Sequence, residues 1–406
     1  MASIALDDFL DRPDFYFDPY PVYHELRASD PVHWSDIMGS WVLTRYDDVV
    51  ATMRDPRRFS SAGRHALSLD RLPEHVRKKA KPIYEHYAVG LIHTDPPDHT
   101  RMRALINKVF TVRAMESLRP RVQKIVDDLL DAAAPNGHMD VMAALAYPLP
   151  VAIISQILGI PAEDNDNFAY WNEGVNELTA SGRTTEANLA RGLPIFQHLR
   201  AYLRELIEKR RRDPQDDLLS ALVMVEEEGD RLSEEELITN YQTLITAGFE
   251  TTMNLIGTGL LTLLRHPDQL ARLRSDPSLT ASAVEELLRY ETPFQRNWRV
   301  AAQDVELGGK RIRRGQLVAQ MLGAANRDPE VFPDPDRFDI SRNSGSHIAF
   351  GYGIHFCIGA PLARIEADIA FRTLLRRFPK LRLMQEIADW RGEIVFRGLN
   401  SLMVEF

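Results

Sequence analysis

The chain has 406 residues, 44% of them hydrophobic and 26% charged, the composition of a globular protein with ample material for a large core. A formal net charge of −9 argues against general nucleic-acid binding, and a single cysteine excludes an internal disulfide or a thiolate metal cluster. No stretch approaches the roughly 20 uninterrupted apolar residues of a membrane span. Residues 1–12 carry three aspartates and no signal-like apolar core, so a cytoplasmic location without membrane association is expected.

In chain order, the pattern predicts a short helix over 20–27, strands near 32–34 and 41–44, and a helix over 47–53. Residues 59–93 read as irregular and charged, broken by Pro73 and Pro82. Pro96 and Pro97 fix the entry to a helix starting near Asp98, on which His99 and Arg103, four apart, share a face. Alone, such a pair reads as surface decoration. Amphipathic helices are predicted over 115–133, 148–158, 167–178 and 186–212. The basic runs at 77–81 and 209–212 read as solvated surface, the second complementing a helix C-terminus before Pro214.

The longest helical pattern begins at a capping box, Ser233 with Glu236, and runs to Arg265-His266-Pro267. Roughly 32 residues at about 1.5 Å each give a rod of about 48 Å. Its middle, Ala247-Gly248-Phe249-Glu250-Thr251-Thr252, sets a glycine, an acid and two hydroxyls into an apolar helix. By itself the hexapeptide reads equally as a kink or as a gap for a diatomic ligand and water, opened where Thr251 bonds the Ala247 carbonyl. Farther on, Glu286 and Arg289 share a helix face, and Arg299 lies in a strand after Pro293.

The only cysteine lies in Phe350-Gly351-Tyr352-Gly353-Ile354-His355-Phe356-Cys357-Ile358-Gly359. A lone cysteine ordinarily reads as a small buried apolar side chain. Here Gly351 and Gly353 allow backbone to approach a flat ligand, and Pro361 opens a helix with an apolar stripe from Leu362 to Leu374. Amide donors and the helix dipole at that entry favour a thiolate.

This segment resembles the haem-binding loop of the cytochrome P-450 family, Phe-Gly-x-Gly-x-His-x-Cys-x-Gly, with every fixed position filled. The family's Asp-Pro-Pro-x-His-x-x-x-Arg is matched at 95–103, and its Ala-Gly-x-Glu-Thr-Thr at 247–252. The resemblance runs from about residue 19 to the end. It implies a mainly α P-450 fold over 1–406, one large helical domain with small peripheral β-sheets and an N-terminal extension over 1–18. The cofactor it implies is haem b (iron protoporphyrin IX), with Cys357 as iron ligand and Phe350, Gly351 and Gly359 shaping the loop. His99, Arg103, Arg299 and His355 would share the propionates, while Ala247 and Gly248 would border the oxygen gap. Glu250 and Thr251 would handle protons during catalysis. Glu286 and Arg289 would form a structural triad with Arg337.

The activity implied is a monooxygenase, using O2 and NAD(P)H to hydroxylate or epoxidise a small to medium organic substrate. No flavin or dinucleotide fingerprint is present, so electrons are expected from a ferredoxin-type donor with its reductase. Pocket walls are expected at 59–91, 171–179, Ala247, 293–297 and 396–399, without a decisive charge. A peroxide-driven peroxygenase of the same fold and a non-enzymatic haem sensor are the alternatives, and the Glu250-Thr251 pair counts against both.

Overall fold

Helices dominate the chain because apolar residues recur every three or four positions over most of its length. The computed structural model describes all residues except 1–5, 11, 71, 166, 168–169, 172–173, 176–177, 179–184 and 226–229. The chain divides into two compact units that alternate along the sequence. The first comprises Met1–Arg58, Met115–Pro150 and Glu250–Phe406, and the second Phe59–Ala114 and Val151–Phe249.

In the first unit, Val32–Ser35 and Ser40–Leu43 form an antiparallel hairpin. Ser40–Leu43 runs parallel to Leu317–Met321, which pairs on its other side, antiparallel, with Arg296–Ala301. All five residues of Leu317–Met321 are buried, as befits a strand paired on both edges. One face packs on an N-terminal cluster of Leu6, Phe15, Tyr20, Tyr23 and Leu26. Among the helices, Ala360–Arg377 packs against Arg119–Ala133 and Thr280–Tyr290. The first contact carries polar cross-links, Gln123 Nε2 to Thr373 Oγ1 at 3.0 Å and Arg119 Nη1 to Asp368 Oδ2 at 3.3 Å.

The second unit is built on Glu74–Ala88, Asp98–Val109 and Glu186–Arg212. Its core joins Val76, Ala80, Ile83 and Tyr87 to Leu189 and Phe196. Here the structure corrects the expectation of an irregular 59–93: Arg64–Asp70 and Glu74–Ala88 are helical, with Pro82 inside the second. Pro82 lies on the exposed face, where water can satisfy the freed carbonyl. Burying the stripe Val76-Ala80-Ile83-Tyr87, at about 1.5–3 kcal/mol per large side chain, outweighs the roughly 3 kcal/mol of an interior proline.

Three further helices lie close to their predicted spans. The helix over 20–27 is Tyr20–Ser29, that over 47–53 is Tyr46–Arg54, and 186–212 is Glu186–Arg212. The predicted 115–133 splits into Val112–Glu116 and Arg119–Ala133, because Pro120 is tolerated only in a first turn. Leu218–Met224 is an unpredicted helix, capped by Asp217 accepting from Ser220 N at 2.7 Å. Half of the helix expected over 167–178, and most of the pocket wall expected at 171–179, lie outside the described residues.

Glu234–Arg265 is one helix, helical throughout 247–252. Its capping box is formed: Ser233 N donates to Glu236 Oε2 at 2.8 Å, and Glu236 N to Ser233 Oγ at 3.3 Å. Among the described residues, no helix is long and apolar enough to cross a membrane.

Candidate functional site

The cysteine loop owes its shape to glycine. Gly351 and Gly353 adopt φ of 74° and 72°, a region other residues rarely enter. At Gly353 a Cβ would also lie 2.7 Å from the Met53 carbonyl oxygen, so this position admits no side chain. Cys357 N donates to Phe350 O at 2.9 Å and Phe356 N to Gly353 O at 3.1 Å, closing the loop around the turn Gly353–His355. Gly359 then caps Ala360–Arg377, with Pro361 in its first turn. Cys357 is exposed and sits just before this N-terminus, where the helix dipole favours an anionic sulfur.

Two carboxylates of Thr280–Tyr290 brace the cysteine loop and the segment before it. Glu285 accepts from Arg364 Nε at 2.7 Å and Arg364 Nη2 at 2.9 Å, while Arg364 stacks 4.5 Å from the Phe350 ring centroid. Burial alone would raise the Glu285 pKa, but the bonds from Arg364 and His347 bring it down to about 2. Glu286, fully buried, accepts from Arg289 Nε at 2.7 Å and Nη2 at 2.8 Å, from Ser344 Oγ at 2.6 Å, and from Arg342 Nε at 3.2 Å. The expected third member, Arg337, is therefore corrected to Arg342. The Arg337 side chain is exposed, and only its carbonyl takes part, accepting from Arg342 Nη2 at 3.0 Å.

The other expected residues of the first unit lie on two elements. Arg299 is buried in the strand Arg296–Ala301, with Nη1 donating to Trp298 O at 2.8 Å. Glu250 is 2% exposed on the long helix, whereas Thr251 beside it is only half-buried and Thr252 is buried. The accessible hydroxyl is thus that of Thr251. Glu250 Oε1 accepts from Arg391 Nη1 at 3.2 Å, a partner that the sequence reading missed. At positions 293–297 and 396–399, expected as pocket wall, the Phe294 and Phe396 rings stand 5.4 Å apart across a β-bridge.

In the second unit His99 is buried in the first turn of Asp98–Val109, with Arg103 one turn on, partly exposed, donating from Nε to Asn107 Oδ1 at 3.1 Å. Asp95, just upstream, gathers the hydroxyl of Ser60 and the amides of Ser61, at 2.9 Å, and Ala62, at 3.4 Å. Gly248 faces Ile154, whose Cδ1 would be 2.8 Å from a Cβ there, while Ala247 is exposed. Buried polar side chains of the long helix pin residues 86–91: Gln242 Oε1 meets His86 Nε2 at 3.0 Å, and Asn240 Oδ1 accepts from Leu91 N at 2.8 Å. Burial pushes the His86 pKa down to about 4.

Nothing in the sequence pointed to Glu366. It lies on Ala360–Arg377, 1% exposed, and its Oε2 is buried without a hydrogen-bond partner. Burial raises its pKa to about 8. Between the ordinary carboxyl range and that value the unfolded chain is ionised and the folded chain holds one more proton. Stability from this residue is therefore present in full at low pH and falls by about 1.4 kcal/mol per pH unit until the folded group titrates. Glu366→Gln should flatten this slope and stabilise the protein most at alkaline pH. Urea unfolding midpoints measured across pH 5–9 that run parallel for both proteins would refute the assignment.

The chain matches the family described as cytochrome P450 over residues 71–386. It is 45% identical to cytochrome P450 107B1 of Saccharopolyspora erythraea over 100% of this chain and 99% of that protein. With the vitamin D(3) 25-hydroxylase of Pseudonocardia autotrophica it shares 42% identity over 96% and 94% of the two chains. The crystal structure of P450BioI in complex with acyl carrier protein bearing hexadec-9Z-enoic acid superposes with a TM-score of 0.89 at 38% identity, covering 97% of this chain and 99% of that one. Together with a glycine-shaped cysteine loop leading into a helix, these likenesses establish that the chain belongs to the cytochrome P450 family.

Proposed function

We propose that this haem-thiolate monooxygenase, which binds haem b and oxidises an organic substrate with electrons from a redox partner, uses Cys357 as its iron ligand and Thr251 with Glu250 to deliver protons. In this reading residues 1–406 work as one catalytic domain in the cytoplasm. The residues present fit the cofactor. A thiol sits at a helix entry, glycines 351 and 353 leave the approach clear, and His99, Arg103, Arg299 and His355 would supply donors for the two propionates. Phe350, Gly351 and Gly359 set the loop, and Ala247 and Gly248 keep their turn of the long helix small. When bound, haem supplies O2 activation and oxidation of the substrate.

The chain's own contribution is ligand field, orientation and protons. Cys357 would hold the iron as a thiolate, the ligand type generally linked to O–O cleavage. The observation that carries the proton assignment is a buried acid, Glu250, followed by a half-exposed hydroxyl, Thr251, in the middle of an apolar helix. Thr251 Oγ1 can hold a water by accepting one proton and donating another. The Glu250 carboxyl picks up a proton and returns it to that water. We assign the electron donor to a ferredoxin with an NAD(P)H-dependent reductase, and the reaction to hydroxylation, the activity in the name of one relative.

Thr251→Ala should still bind substrate and consume NAD(P)H, while product per NAD(P)H falls roughly tenfold or more and hydrogen peroxide rises in proportion. Glu250→Gln should instead slow turnover, because an amide cannot carry the proton. Product and peroxide measured side by side decide the matter: wild-type coupling in Thr251→Ala would remove that hydroxyl from the site.

A further inference from the structure

Glu250 is held by a residue far along the chain. Arg391 follows the short strand Asp389–Trp390, which pairs with Leu399–Ser401, and its Nη1 reaches Glu250 Oε1 at 3.2 Å. The two side chains differ in exposure, 2% for Glu250 and 26% for Arg391, so the pair spans from the interior to water. The Arg391 backbone is fixed: its N–H donates to Gly398 O at 3.0 Å. Neighbouring Arg397 anchors the same segment through the Glu291 carboxylate and the carbonyls of Tyr16 and Phe17, both at 3.0 Å. What can move is the Arg391 side chain, whose other contact is a loose one from Nη2 to Met253 Sδ at 3.9 Å. It borders a small pocket with Glu393, Gln295 and Arg397, a second carboxylate toward which the guanidinium can turn.

An independent observation marks a place for water on the same helix face. Asn254 is four residues after Glu250, hence directly above it, and is fully buried with neither Oδ1 nor Nδ2 bonded to any protein group. It packs against Gly398, where a Cβ would lie 2.0 Å from Oδ1, so the backbone comes close enough to roof the amide. A buried amide without protein partners is the setting in which an ordered water is retained.

We propose that Arg391 is a positioning residue that latches Glu250 and, by swinging toward solvent, times the delivery of protons to Thr251. This rests on the reading of Glu250 as proton carrier. While paired, the carboxylate is anchored to a cation and has no proton to give. When Arg391 turns away, an O–H bond in solvent-derived hydronium breaks and one forms at Glu250 Oε1. The neutral acid then releases that proton to the water held by Thr251 and returns to Arg391 as a carboxylate. No electrons are exchanged.

The test is a double-mutant cycle on the haem-loaded enzyme, with haem content confirmed first. Arg391→Gln should lower product per NAD(P)H roughly three- to tenfold in the otherwise native chain, yet add nothing in a Glu250→Gln background. Arg391→Lys, which keeps the cation, should restore coupling to within about twofold. A readout apart from activity follows the same logic: Arg391→Gln should lower the urea unfolding midpoint with Glu250 present and leave it unchanged with Glu250→Gln, because the substitution takes a cationic partner from a buried carboxylate. An arginine that merely anchors the hairpin would lower both equally, and that result, or wild-type coupling in Arg391→Gln, overturns the latch. Wild-type turnover in Glu250→Gln overturns instead the assignment of Glu250, and the latch with it.

Discussion

Cys357→Ser should leave a folded protein whose reduced CO complex lacks the strongly red-shifted absorption band of a thiolate-bound haem, and whose substrate turnover falls to background. The fold survives because the loop is built without the sulfur: its turn is closed by Cys357 N to Phe350 O, and its curvature comes from Gly351 and Gly353. The chemistry does not survive, because a serine hydroxyl stays protonated where a thiol ionises, and the helix entry at Ala360 cannot make up a difference of many pKa units. The wild-type protein should show the shifted band. A native-like band in the serine variant would mean that this sulfur is not the ligand.

The second large effect is on folding. Arg289→Ala should cost about 3–5 kcal/mol, the usual price of stranding a buried partner charge, against a total stability on the order of 5–15 kcal/mol. Arg289 and Glu286 are both inaccessible to solvent, and Arg289 also donates to Asn326 O at 3.0 Å and Pro335 O at 2.9 Å, so its loss also leaves carbonyls short of donors. Arg337→Ala, by contrast, should stay within about 0.5 kcal/mol because that side chain is exposed. Urea unfolding and haem content of the two variants separate the cases. Equal losses would show that Arg337 carries more than its carbonyl.

Much of the site was legible because its chemistry is written in short segments. Whereas the pair His99-Arg103 gains a role only from the family resemblance, the cysteine loop and the capping box at Ser233 each announce themselves within about a dozen residues, through glycine, proline or helical spacing. The same holds for the helices whose apolar stripes are unbroken. What escaped was set by contacts between distant segments. Arg342 and Arg337 are both arginines after a proline-rich turn, and only the path of 333–342 decides which guanidinium reaches Glu286. Arg391 lies 141 residues from Glu250 in sequence, in a stretch with no marker of its own. Pro82 misled in the opposite sense, since a local penalty was outweighed by burial that a local reading cannot weigh.

The pairing of Ser40–Leu43 with Leu317–Met321 has a consequence for how the chain is made. Trp41 Nε1 donates to Gln316 Oε1 at 2.9 Å across a separation of 275 residues. At a synthesis rate of roughly 5–20 residues per second, the N-terminal hairpin leaves the ribosome about 15 seconds to a minute before the strand that completes its sheet. Throughout that interval one edge, bearing Trp41, Val42 and Leu43, offers unpaired amides and carbonyls to any neighbouring nascent chain. Completion of this sheet therefore waits on the last third of the chain.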